Sequence, residues 1–241
     1  MSHVKNVAAF EKLLGYCSGY GGSYNPGLPN LTVSTMSDLL EKARQAVQQA
    51  NATKADLNNE TNEREIFFDN LPKLTSGIIY TLAASGVSEQ TMKDARVFFR
   101  TITGRKLKDR KPVLSDKVKE MTDAAVKRSN SQGGYINITG QFAKLLETVK
   151  EEPRYKPNES HLQTEGLRQT LRKMNHLNSK VGNTQVVWSN ARMELNNQLY
   201  QSDSSIYSTA RLVKKYVRAV FGLNSAQYQQ LKSLEFTKPN V

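Results

Sequence analysis

A chain of 241 residues with a formal net charge of +12 and 38% hydrophobic residues is long enough for one large domain or two of ordinary size. Its single cysteine excludes an intramolecular disulfide and a thiolate metal cluster, and only seven prolines and 14 glycines argue against a sandwich or barrel, which needs frequent turns. No stretch approaches the roughly 18 consecutive apolar residues of a membrane span, and the opening Met-Ser-His-Val-Lys-Asn lacks the apolar run of a secretory signal, so a cytoplasmic, membrane-free protein is expected.

The first periodic segment carries Phe10, Leu13 and Leu14 and predicts a short helix. A Gly-rich stretch over 16–29 follows and reads as a loop. Ser34 or Ser37 is placed to cap a long helix with apolar positions Leu40, Ala43, Val47, Ala50 and Leu57. Those steps are the seam of a coiled-coil-like pair. Asp69-Asn-Leu-Pro72 reads as a break, since proline is tolerated in a first helical turn but not in an interior. A third helix carries Leu71, Leu74, Ile78 and Leu82 up to Gly86, and a fourth spans 88–101.

Residues 103–138 read as a basic linker. It opens Gly104-Arg-Lys-Leu-Lys-Asp-Arg-Lys111-Pro112 and holds one weak helical stretch over 116–126. Beyond it a long run carries Leu167, Leu171, Met174, Val181, Trp188, Ala191 and Leu195, with Gly182 as a weak point. A last strongly periodic helix carries Ile206, Ala210, Val213, Val217 and Val220.

The two flanks of the linker resemble each other. Phe10-Glu-Lys-Leu13-Leu14 is matched by Phe142-Ala-Lys-Leu145-Leu146 at an offset of 132. Tyr24-Asn-Pro26 is matched by Tyr155-Lys-Pro157 at 131, and Leu31, Met36 and Leu40 by Leu162, Leu167 and Leu171. An offset of 135 then places Leu71, Ile78 and Leu82 on Ile206, Val213 and Val217. Both runs stop at a glycine followed by small polar residues, Gly86 and Gly222, as a helix end and a fresh start would. The expected fold is therefore all-α. Two tandem, diverged helical-bundle repeats occupy 1–102 and 139–241, each packing antiparallel helices; docking about a pseudo-twofold axis is the simplest arrangement, with beads joined by a flexible linker as the alternative.

Val213-Lys-Lys-Tyr-Val-Arg-Ala-Val-Phe-Gly222, Ser225-Ala-Gln-Tyr228 and Leu234-Glu-Phe236, with Asn6-Val…Phe10 and Gly19-Tyr-Gly…Tyr24-Asn-Pro26, resemble a group of uncharacterised bacterial helical proteins of about this length. The resemblance implies the whole-chain architecture and no activity or site residue.

Residues that carry chemistry are sparse. Of the three histidines, His3 falls in an expected frayed terminus, His161 has one carboxylate at i+4, Glu165, and His176 has none. A metal site in a bundle needs several ligands projecting together. Glu60, Glu63 and Glu65 with Arg64 read as a solvated face with an i,i+4 pair. Gly19-Tyr-Gly-Gly22-Ser lacks the Lys-Ser/Thr of a phosphate loop, and its neighbours Tyr16, Tyr20 and Tyr24 are expected to pack on the bundle. Cys17 has no histidine near it in sequence to act as a base. Neither a catalytic centre nor a cofactor is expected.

Charge is the remaining signal. Residues 1–102 carry ten Lys/Arg and ten Asp/Glu, 103–138 nine and four, and 139–241 fifteen and eight. Candidate polyanion contacts are Arg105, Lys106, Lys108, Arg110 and Lys111 in the linker, and Arg168, Arg172, Lys173 and Lys180 on the long helix. Arg211, Lys214, Lys215 and Arg218 add a stripe on the last strong helix. The leading expectation is a non-catalytic protein–protein scaffold or adaptor, with homo-oligomerisation open. Sequence-nonspecific nucleic-acid binding is the alternative.

Overall fold

The structure, a computed structural model, describes residues 2–104 and 133–238. Among them there is no strand, so the chain is all-α. The helices are α1 (Ser2–Gly19), α2 (Val33–Asp69), α3 (Leu71–Ala84), α4 (Glu89–Thr103), α5 (Gly133–Lys150), α6 (Thr164–Asn196), α7 (Ile206–Phe221) and α8 (Ala226–Lys232). Short 3-10 turns at Gly21–Ser23 and Pro29–Leu31 fill the Gly-rich connection, and a π turn at Asn197–Gln201 follows α6. None of these helices is long and apolar enough to cross a membrane. The helix expected over 116–126 lies outside the described residues.

Boundaries follow local chemistry, with some departures from the sequence expectation. α1 is longer than expected and absorbs His3 and Cys17. At the start of α2 the cap is Thr32, whose hydroxyl accepts from the Thr35 N–H at 3.3 Å. Neither Ser34 nor Ser37 caps it, because both already lie within the helix. Alanines at 43, 46, 50, 52 and 55 then sustain 37 residues of helix, being the best helix formers. Pro72 sits in the first turn of α3, where its missing N–H is harmless. Residues 133–138, expected as linker, are instead the first turns of α5. Ser88, Ser205 and Ser225 cap α4, α7 and α8, each accepting from the N–H three residues on. Gly222, at φ 90°, turns the chain out of α7, a backbone region only glycine enters freely.

The chain forms two compact units, and the partition crosses the boundaries read from the sequence. One comprises Met1–Leu57 with Thr184–Val241, the other Asn58–Asn183.

In the first unit Val7, Phe10, Leu13 and Cys17 of α1 pack with Met36, Leu40, Ala43 and Ala50 of α2. Against them lie Leu195, Leu199 and Tyr200, then Ile206, Ala210, Val213 and Val217 of α7, and Leu231 of α8. Tyr24 donates its hydroxyl to the Leu31 carbonyl at 2.8 Å.

In the second unit Phe68, Leu71, Ile78, Leu82, Met92, Ala95 and Ile102 pack with Phe142, Leu145, Leu146 and Val149 of α5. Leu167 and Met174 of α6 complete that core. Tyr155 donates to the Leu162 carbonyl at 2.8 Å, and Arg154 reaches the Gly86 carbonyl at 2.6 Å.

Residues matched in sequence are buried alike. Phe10 and Phe142, Met36 and Leu167, Ile78 and Val213, and Leu82 and Val217 are all at most 1% exposed. In every such pair one residue belongs to each unit. Each core thus takes the early helices of one flank and the late helices of the other.

Candidate interaction surfaces

Several of the chemistry-bearing residues make contacts within the fold. Among the described residues no three His, Cys, Asp or Glu are gathered to hold a metal ion. His3 is not frayed: its Nδ1 lies 3.0 Å from the Tyr200 hydroxyl. Cys17 is 1% exposed, and burial pushes its thiol up to about 11, far from the thiolate a nucleophile requires. Tyr20 donates to the Gln227 carbonyl at 3.0 Å, and its ring lies 5.5 Å from Phe221. The tyrosines after α1 therefore pack as expected.

The carboxylates and the basic row on α6 answer each other. Lys180 sits 2.7 Å from Glu60 and 3.2 Å from Glu63, and Lys173 sits 2.8 Å from Glu63. These two lysines hold the Glu63 carboxyl below the usual range, and Lys180 is raised in turn by Glu60 and Glu63. Arg168 pairs with Glu165, and Arg172 lies 3.9 Å from the same residue. The stripe expected to meet a polyanion is thus largely engaged with carboxylates of its own chain. Arg64, expected on a wet face, is 4% exposed with its guanidinium 4.3 Å from the Tyr135 ring.

On α7 the stripe divides. Arg211, Lys215 and Arg218 are exposed, with Arg211 5.7 Å from the Tyr207 ring. Lys214 turns away: its Nζ donates to the Leu234 carbonyl and lies 5.3 Å from the Phe236 ring. Arg105, Lys106, Lys108, Arg110 and Lys111 lie outside the described residues.

Two open grooves went unread in the sequence. In the first unit, Val4 and Val7 of α1 with Arg44, Val47, Gln48, Asn51 and Ala52 of α2 line about 530 Å³. In the second, Ile136, Thr139, Gly140 and Ala143 of α5 with Leu171, Asn175, Asn178 and Ser179 of α6 line about 550 Å³. The offsets of 132 and 131 carry Val4, Val7, Arg44, Val47 and Gln48 onto Ile136, Thr139, Asn175, Asn178 and Ser179. At the floor of the second groove Asn178 donates to Thr139 Oγ1 at 3.0 Å. Its Oδ1 is buried without a hydrogen-bond partner among the described residues.

Comparison with protein-family models, with curated proteins and with solved structures finds no match to this chain.

Proposed function

We propose that the protein is a non-catalytic adaptor, built from two diverged copies of one helical unit, whose grooves each receive an amphipathic helix of a partner protein. The observation that carries this reading is the matched pair of grooves. Each lies between two helices, with lining residues at steps of three and four, so a third helix can seat its apolar ridge there. Val4 and Ile136, one in each groove, are 60% and 63% exposed.

A photo-crosslinking residue at Val4, and separately at Ile136, tests the reading. The same partner is expected at both. Once purified, it is expected to bind the unaltered chain and to bind Val4→Asp/Val47→Asp and Ile136→Asp at least about tenfold more weakly, as for central interface anchors. No adduct, or a partner indifferent to these substitutions, overturns it.

Polyanion binding is a second reading, favoured by Arg211, Lys215 and Arg218, which face solvent in no ion pair among the described residues. It predicts duplex DNA affinity that falls steeply from about 50 to 200 mM salt. Replacing all three with Gln should weaken that binding while leaving helicity intact.

A further inference from the structure

We infer that the shelf formed by α1 and α7 in the first unit is a recognition site for an extended peptide, filled in this chain by its own C-terminal segment, residues 234–237. The segment has no regular secondary structure, and its residues alternate: Leu234 and Phe236 are half-buried, Glu235 and Thr237 exposed. The two apolar side chains rest on the core of the unit.

What holds the segment is mostly addressed to its main chain. Asn6, 1% exposed, donates from Nδ2 to the Thr237 carbonyl at 2.7 Å and accepts the Thr237 N–H on Oδ1 at 3.0 Å. One side-chain amide thus pairs with both main-chain groups of one residue, as a residue of a neighbouring antiparallel strand would. Its other Nδ2 hydrogen goes to the Tyr200 hydroxyl at 3.2 Å, which His3 holds from the far side. The amide is therefore oriented before any peptide arrives. At the other end of the segment, Lys214 donates to the Leu234 carbonyl.

Main-chain bonds at both ends with two apolar contacts between them select a pattern, apolar-x-apolar in extended form, and not a particular sequence. Strand-like peptide recognition works this way. A segment of another protein with that pattern satisfies the same groups. The tail competes with it at an effective concentration in the millimolar range, so a trans peptide of intrinsic Kd near 10–100 µM is held back about 10–100-fold. The α1–α2 groove is lined by other residues, so this site and the adaptor reading fail separately.

The test uses the full chain with Leu234→Ser/Phe236→Ser, which releases the tail, and a fluorescent peptide of residues 232–238 read by anisotropy. The released chain is expected to bind the peptide with a Kd of about 10–100 µM, and the unaltered chain at least about tenfold more weakly. Adding Asn6→Ala to the released chain should abolish binding while far-UV ellipticity is kept. No binding by a folded released chain, or equal binding by the unaltered one, overturns the proposal. Should the released chain unfold, hydrogen exchange on the unaltered chain decides: the Thr237 amide is expected to exchange far faster than that of Val213, through local release. Equal protection of the two amides overturns it.

Discussion

Tyr24 and Tyr155, 131 residues apart in sequence, make one and the same bond: each hydroxyl donates at 2.8 Å to the carbonyl seven residues on, Leu31 and Leu162. Both are 7% exposed, so phenylalanine in their place leaves a buried carbonyl unmet. Tyr24→Phe and Tyr155→Phe are each expected to cost about 1–2 kcal/mol in urea unfolding, with the midpoint moved and the slope kept. Since the bonds share no partner, the double variant should show the sum to within about 0.5 kcal/mol.

Two glycines of α6 should respond with opposite signs. A Cβ at Gly166 would stand 2.3 Å from the Ser160 carbonyl oxygen, whereas at Gly182 it would meet nothing within 4 Å. Gly166→Ala must shift backbone and is expected to destabilise by about 1–3 kcal/mol, as overpacking does. Gly182→Ala, in a helix interior, is expected to stabilise by about 0.5–1 kcal/mol, because alanine loses less freedom on folding. Thermal unfolding reads both. A loss at Gly182 would mean that glycine serves something beyond the helix.

Acidification should weaken the chain through His3. Burial holds its imidazole below the ordinary value of 6.5, and Arg192 adds to the effect. The unfolded chain therefore binds the proton more readily than the folded one. The contribution is fully present above about pH 6.5 and is lost as pH falls toward and through the lower folded value. Urea midpoints at pH 7.5 and 5.5 should differ more for the parent than for His3→Gln. Identical differences would remove His3 from the account.

Much of the fold was legible because apolar spacing reports which face of a helix is buried. Phe10, Leu13, Ile78, Leu167 and Val213, read as anchors, are all at 0% exposure. Spacing does not report what lies against that face. Hence the flanks read as two linear units, although Leu31 and Val217 share one core while Leu82 and Leu162 share the other. The same blindness applies to charge. On one helix Lys173 and Lys180 look like a free basic row, but Glu63, which binds both, is 110 and 117 residues away. Asn6 entered only as part of a resemblance and with no role, since a lone polar residue among Val4, Val7 and Phe10 carries no periodic pattern. The grooves could have been found: the offset that aligns Phe10 with Phe142 also aligns Val4 with Ile136.

That each core draws on both flanks is the claim on which the tail site rests, since Asn6 and Lys214 come from opposite flanks. Residues 1–132 and 133–241, produced as separate chains, test it by circular dichroism and sedimentation. Each alone lacks about half of both cores and should show reduced ellipticity or self-association, while equimolar mixing should restore a one-to-one complex with the parent's cooperative melt. Two fully helical monomers that ignore each other on mixing would contradict it.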